Sequence, residues 1–276
     1  MKKQLFIEQQ IELGYRLHLH DGVWWQQQGR FFFKPALRHQ RIEPRQATPA
    51  PFRSLVGYSH LVPDGSAGNS SYSVMGLEWT GEKSFGIEYL PSSRRSKVRR
   101  GEKKTQVKRI TNLESLIKDV QQIVISTRMR TGVGLPASYY SQYYNKWRDD
   151  MLKLFEMEDR PWWGVFCDGR LIAYYQTTVL EDMLFINAAK SHSDFLSNYP
   201  NDVLLYTVLC DAFNERGCRF VEFGDWSLTD SNLTYFKESY GFRRYEFPIY
   251  RHLSPLARPA YKIWQLWRAR KQARVG

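Results

Sequence analysis

Two carboxylates close together in "RFVEFGDW", Glu222 and Asp225, are the residues best placed to do chemistry. On a strand, Val221 and Phe223 share one face and Glu222 takes the other, with Asp225 at the C-terminal end of the run. Aromatic surroundings raise a carboxylate's pKa toward the range in which it can take a proton from a nucleophile or anchor an amine. The plainer alternative is an acid at a strand end pairing with a nearby arginine. Lys237 stands further on in "NLTYFKESYGF". Partly buried, a lysine can supply a proton or neutralise developing negative charge. It can also simply favour the last turn of its helix through the helix dipole. Asn232 and Tyr235, three apart on the same segment, share a face and could contact a substrate.

The second chemical signal is charge. The chain has 276 residues and a net charge of +12, concentrated in two places. In "RRSKVRRGEKKTQVKR", Arg94 to Arg109, nine residues are basic and only Glu102 is acidic. Such a run attracts phosphate, whether of nucleic acid, a lipid headgroup or a cofactor, or it is a solvated face. Lys97, Arg99, Arg100, Lys103 and Lys104 are its candidate phosphate-binding residues. The second cluster is the tail, where Ala260, Ile263, Trp264 and Trp267 fall along one helical side, followed by Arg268, Arg270, Lys271 and Arg274. Tryptophan beside basic residues suits the surface of an anionic bilayer, and docking on the protein's own sheet is the alternative.

Other chemistries find little support. Cys167, Cys210 and Cys218 are widely spaced, with no CxxC and no histidine pair nearby, so neither a disulfide framework nor a zinc site is expected. His18 and His20 share a strand face but lack further ligands close in sequence, and no metal is expected. The apolar runs are far shorter than the roughly 20 residues that span a bilayer. No secretory signal follows Met1, and a cytoplasmic protein is expected. The aromatic pairs Trp24-Trp25 and Trp162-Trp163, and the run "YYSQYYNKW", read mainly as core.

The elements that must position these residues follow from pattern. "YRLHLHDGVWW", "RFFFKPALRH", "SYSVMGLEW" and "SFGIEYL" read as strands of a β-rich N-terminal portion, residues 1–92, with a long Pro- and Gly-rich loop from Arg41 to Ser71 between the second and third. "NLESLIKDVQQIVISTRMRTG" reads as an apolar-faced helix ending at Gly132, and a second helix opens at Pro136. Asp168-Gly169 between β-rich runs is the strongest hairpin signal, and Glu181-Asp182 makes a second turn. A helix from Pro200 to about Gly217, the strand "RFVEFGDW", the Lys237 helix and the strand "RRYEFPIYRHL" complete the order. Gly241 is expected in the left-handed conformation that stops that helix and reverses the chain.

This order, with "SSRRSKVRRGEKK", "YPNDVLLYTVLCDAFNERGCRFVEFG" and "LTYFKESYGF", resembles the GNAT acyltransferase superfamily and, more narrowly, its FemAB-like (BioF2-like) branch over roughly Ser92 to Leu253. The resemblance implies an α/β (α+β) fold with a mixed, splayed sheet flanked by helices. An acyltransferase domain would occupy residues 93–254, residues 1–92 would be a reduced copy of it, and residues 255–276 a basic helix. It implies transfer of an acyl or aminoacyl group from an activated donor to an amine of a small molecule, peptide or envelope precursor. "MLFINAAK" and "RFVEFGDW" would be the splayed strands, and the closing corner would bring the final strand beside that split. No tightly bound cofactor is implied; the co-substrate would be acyl-CoA or aminoacyl-tRNA. The common family has a glycine-rich pyrophosphate loop where this chain has glycine-free "SHSDFLSNYPND". It also has a general-acid tyrosine where this chain has Lys237, as FemAB-like relatives that use aminoacyl-tRNA do. tRNA and the inner face of an anionic membrane are the implied partners. The rival is a nucleic-acid or membrane-surface binding protein that keeps the fold without catalysis.

Overall fold

The computed structural model describes residues 1–29, 31–50, 54–81, 83–226, 231–259, 261 and 263. Of the tail expected as a basic helix, residues 255–259, Tyr261 and Ile263 are described, while Ala260, Trp264, Trp267, Arg268, Arg270, Lys271 and Arg274 lie outside the described residues. The chain divides into two compact units: Met75–Gly224 with Met1 and Tyr235–Arg243, and Lys2–Val74 with Asp225–Thr234 and Arg244–Gly276.

The first unit carries strands β6 (Gln106–Arg109), β7 (Trp162–Cys167), β8 (Arg170–Leu180), β9 (Met183–Ser191) and β10 (Phe220–Asp225), in the sheet order β10-β9-β8-β7-β6. β6 to β9 pair antiparallel, and β9 and β10 pair parallel, so the sheet is mixed. The hairpin turns fall where the sequence puts them, with Asp168 at φ 50°, Gly169 at 79° and Glu181 at 54°. β8 is buried on both faces, which explains its nearly continuous apolar run. Tyr174 stacks on Trp162 at 5.6 Å and joins the core beneath α3 (Ile117–Thr131), while its neighbour Tyr175 meets Phe223 at 5.8 Å. Val120, Ile123, Val124 and Thr127 face that first core at helical spacing, and Gly132, at φ 72°, closes the helix. The expected second helix is two, α4 (Ala137–Gln142) and α5 (Tyr144–Phe155), broken at Tyr143.

Helix α6 (Pro200–Cys210) opens with Pro200 in the first turn, where its missing N–H is not needed. It packs against α2 (Ser92–Glu102), the helix formed by the basic run. Gly101 makes that contact close: a Cβ there would meet Val203 Cγ1 at 2.4 Å. Helix α7 (Ser231–Glu238) ends as expected, with Gly241 at φ 90° and the Phe242 N–H donating to the Lys237 carbonyl.

The second unit contains helix α1 (Lys3–Glu12) and strands β1 (Leu17–His20), β2 (Val23–Gln28), β3 (Phe32–Pro35), β4 (Gly57–Leu61) and β11 (Arg243–Leu253), in the order β1-β2-β3-β4-β11. β3 and β4 run parallel and the other pairs antiparallel. Val23, Trp25, Phe33, Ile42, Ala47 and Tyr58 form its core. β5 (Ser70–Glu78) has residues in both units.

Three expectations are corrected and one helix is added. The stretch from Arg41 to Ser71 is not one loop, because it holds β4, buried throughout its length. "SFGIEYL" forms a 3-10 turn over Ile87–Tyr89 and no strand. Lys3–Glu12, which carries no strand or helix signal of its own, is helix α1. The final strand does not accompany the split: β10 up to Gly224 lies in the first unit and β11 from Arg244 in the second. The last error has a simple cause, since a hairpin-like corner fixes where a strand starts but not which strand pairs with it.

Candidate active site

The parallel pair β9 and β10 is joined for only part of its length. Register runs Phe220 with Met183, Val221 with Leu184 and Glu222 with Phe185, and the described pairing ends there although both strands continue. A bulge at Asn187 shifts the β8–β9 register between Gln176 and Thr177 just past that point, and Asn187 Nδ2 donates to Thr178 Oγ1 at 2.6 Å. A bulge bends its strand and breaks the ladder, which is how a parallel pair parts. Beyond Glu222, backbone groups of β10 therefore turn to partners other than β9.

One partner is Lys237. Its ammonium donates to the Phe223 carbonyl at 2.6 Å and lies 4.8 Å from the Phe223 ring centre, with the side chain only 5% exposed. Tyr175 and Phe242 pack on the same ring at 5.8 and 5.9 Å. The cation is thus held at the parting of the strands by a carbonyl dipole and aromatic faces.

What holds Lys237 there is a buried polar clamp. Arg94 of α2 donates Nη1 to Asp202 Oδ1 at 3.0 Å and Nε to Ser239 Oγ at 2.6 Å, and it lies 5.0 Å from the Phe236 ring centre. The Tyr240 hydroxyl donates to the Asp202 carboxylate, 3.1 Å, and is equally close to the Asp202 carbonyl. Ser239 Oγ in turn donates to the Phe236 carbonyl at 2.6 Å. Burial, then the Asp202 charge, pushes the Tyr240 phenol well above its ordinary range, so it stays a neutral donor. The clamp joins α2, the first turn of α6 and the end of α7.

The expected site residues divide accordingly. Glu222 is 1% exposed, on the face of β10 opposite Val221 and Phe223. Asp225 is exposed and accepts from the Tyr72 hydroxyl at 2.6 Å, so its partner is a tyrosine and not the arginine of the plainer reading. Asn232 and Tyr235 are both exposed, Tyr235 at 68%, so the face their spacing gives them in common is open to solvent. In the basic run, Arg94, Val98 and Gly101 face inward, while Arg99, Arg100, Lys103 and Lys104 are exposed and Lys97 half-buried. Arg100 stacks over Tyr199 at 4.7 Å. Trp25 and Trp162 are core, at 0% and 1% exposure.

Sequence reasoning missed Arg94, Asp202 and Tyr240, and also a cationic group at the end of β9. There Arg130 Nη2 donates to Ser191 Oγ at 3.2 Å and to its carbonyl at 3.3 Å, and Asn201 Nδ2 reaches the same Oγ at 3.2 Å. Burial and the neighbouring Arg130 lower the Lys190 pKa, and burial lowers that of Arg130. The glycine-free segment before α6 folds as a 3-10 turn over Ser193–Asn198, with the His192 ring accepting from the Asp194 N–H and Tyr199 at φ 55° leading into the helix. His18 and His20 gain no third ligand, and no cluster of three metal-ligating side chains exists among the described residues.

A mixed sheet flanked by helices, with a parallel pair parting beside a bulge, defines a GNAT-like α/β fold. Solved structures share that fold. FemX superposes at a TM-score of 0.62 with 15% identity, covering 94% of this chain and 92% of its own. The C-terminal domain of a protein described as a lysylphosphatidylglycerol synthetase, from Agrobacterium fabrum, gives 0.60 with 11% identity over 93% and 90%. L-PGS from Bacillus licheniformis gives 0.57 with 12% identity over 95% of both chains. At such identities the likeness is one of fold. No protein-family model and no curated protein sequence matches the chain.

Proposed function

We propose that the protein is an acyltransferase that moves an acyl or aminoacyl group from an activated donor to an amine. The observation that carries this reading is Lys237 Nζ on the Phe223 carbonyl where β10 leaves β9. In this reading the donor carbonyl enters the parting and is polarised by backbone groups that the strands no longer share. The amine nitrogen attacks that carbonyl carbon and gives one proton to a carboxylate, Glu222 or Asp225, the other anchoring the amine. The tetrahedral intermediate collapses, the bond to the donor oxygen or sulfur breaks, and Lys237 protonates the leaving atom. Asn232 and Tyr235 contact donor or acceptor from the exposed side of α7.

We favour aminoacyl-tRNA over acyl-CoA as donor. The exposed residues Arg99, Arg100, Lys103 and Lys104, with half-buried Lys97, suit a phosphate backbone. Lys190 and Arg130 at the end of β9 suit a phosphate near the reacting end. The segment before α6 contains no glycine to let a pyrophosphate approach its backbone closely. Residues 1–92 as a reduced copy of the acyltransferase domain, a cytoplasmic setting and contact with an anionic membrane belong to the same reading. No described helix is long and apolar enough to cross a membrane.

The test is mass spectrometry of products after incubation of wild type and Lys237→Met with charged tRNA or acyl-CoA and an amine acceptor. Product from charged tRNA alone, lost in Lys237→Met, supports the whole reading. Equal product from both proteins removes Lys237 from the chemistry. Product from neither donor, together with nucleic-acid binding that weakens steeply as salt rises, favours the non-catalytic binding protein.

A further inference from the structure

We infer that a groove at the end of β11, in the second unit, binds a phosphate-bearing group. It has a volume of about 380 Å³ and is lined by Asn69, Arg251, His252, Arg258 and Tyr261, among others, with no carboxylate among the described residues that line it. Its two guanidinium groups are set in place. Asn69 locks the Arg251 backbone with both ends of its amide, donating Nδ2 to the carbonyl at 2.9 Å and accepting the N–H at 2.8 Å. The Arg251 side chain donates to the Tyr261 hydroxyl and lies 5.2 Å from the centre of its ring. Arg258 donates Nε to the Leu253 carbonyl at 3.2 Å. With Arg251 anchored on Tyr261 and Arg258 on Leu253, each guanidinium keeps further N–H donors on a planar fork, the geometry that takes phosphate oxygens in pairs.

The positive field extends further along the unit. Burial first, then Arg38 and Arg251, lower the Lys34 pKa, with Asp225 acting in the opposite sense. An anion in the groove would relieve that excess. The volume lies at the small end of ligand sites, enough for a phosphomonoester or a lipid headgroup but not for a whole nucleotide cofactor. Neither the sequence reading nor the transfer chemistry uses these residues, so the inference stands or falls apart from the proposed function.

The experiment uses the full chain in two arms. Calorimetric titration with inorganic phosphate and glycerol 3-phosphate at low salt reads soluble ligands. Sedimentation with phosphatidylcholine vesicles, with and without phosphatidylglycerol, reads the lipid form. Binding in at least one arm, weakened about tenfold in Arg258→Gln with an unchanged unfolding midpoint, is the expected result, since that variant removes charge-assisted hydrogen bonds. Saturable soluble binding assigns the site to free phosphoesters, and binding confined to phosphatidylglycerol vesicles assigns it to a lipid headgroup. Arg251→Gln repeats the measurement at the second guanidinium. No binding in either arm, or equal binding by wild type and both variants, overturns the inference.

Discussion

Replacing Arg94 by methionine tests whether the clamp holds Lys237 in place. Arg94 and Asp202 are 6% and 7% exposed, and their ion pair is 3.0 Å long. Methionine fills much of the same space but leaves the Asp202 carboxylate buried, with the Tyr240 hydroxyl still donating to it. Breaking a buried pair from one side costs about 3–5 kcal/mol, because the stranded charge keeps its desolvation penalty. The companion Asp202→Asn, made in the Arg94→Met background, removes that charge while keeping an oxygen for Tyr240, and should restore about 2 kcal/mol. Denaturant unfolding followed by circular dichroism gives the four corners of the cycle. The Ser239 tether is lost as well, so Arg94→Met should lower turnover more than its loss of folded protein explains, and Arg94→Lys should recover charge but not the fork. If Arg94→Met costs under about 1 kcal/mol, or if the two changes simply add, the clamp is not a coupled unit.

Three further outcomes follow from single distances and environments. Lys237→Met should reduce product formation by about 10²-fold or more with the circular dichroism spectrum unchanged, the range for loss of a positioned proton donor. Gly101→Ala should destabilise by about 1–3 kcal/mol in denaturant unfolding, since its Cβ would sit 2.4 Å from Val203 Cγ1 and force α2 off α6; stability equal to wild type would mean that the helices separate at no cost. Burial raises the Cys218 thiol from 9.0 to about 11. Below pH 9 both states keep the proton, and between pH 9 and 11 the unfolded chain ionises first, so stability is lost as pH rises through that window, by about 2–3 kcal/mol. Cys218→Ala should flatten the slope at the start of that window, before the buried tyrosines contribute in the same direction, and an unchanged slope would show the thiol is not responsible.

The order of elements from Leu113 onward was legible because each carries a local signal: 3.6-residue periodicity in α3, Asp-Gly at the β7–β8 turn, Pro200 at the start of α6 and Gly241 after α7. β4 was hidden because "GYSHL" carries Gly, Ser and His inside a proline-rich stretch, and its burial comes from tertiary packing, not from its own hydrophobicity. Likewise, α1 buries Gln9 and Gln10 beside Ile7, so no apolar stripe marks it. β5 contributes residues to both units, and such a division leaves no local trace in the sequence.

Arg94 shows the same limit more sharply. Nine basic residues stand in one run, and composition cannot say which one goes inside. Spacing can: Val98 and Gly101, the two residues of α2 without polar side chains, lie four and seven positions after Arg94 and therefore on its face. A cation on the buried face of a helix needs an acid, and Asp202 in the first turn of α6 supplies it.

That pairing also bears on which side chain at the closing corner could serve as proton donor. Tyr240 lies next to Gly241, and its hydroxyl is committed to the carboxylate and carbonyl of Asp202, with a pKa driven upward by burial. Lys237, one helical turn earlier, instead directs its ammonium to a carbonyl at the strand parting. An Asp202→Asn variant alone separates the two roles. If Tyr240 were the donor, weakening its acceptor would change the pH profile of turnover. If Lys237 is the donor, that change lowers stability and leaves the shape of the profile as it was, because Asp202 touches the chemistry only through the position of α7.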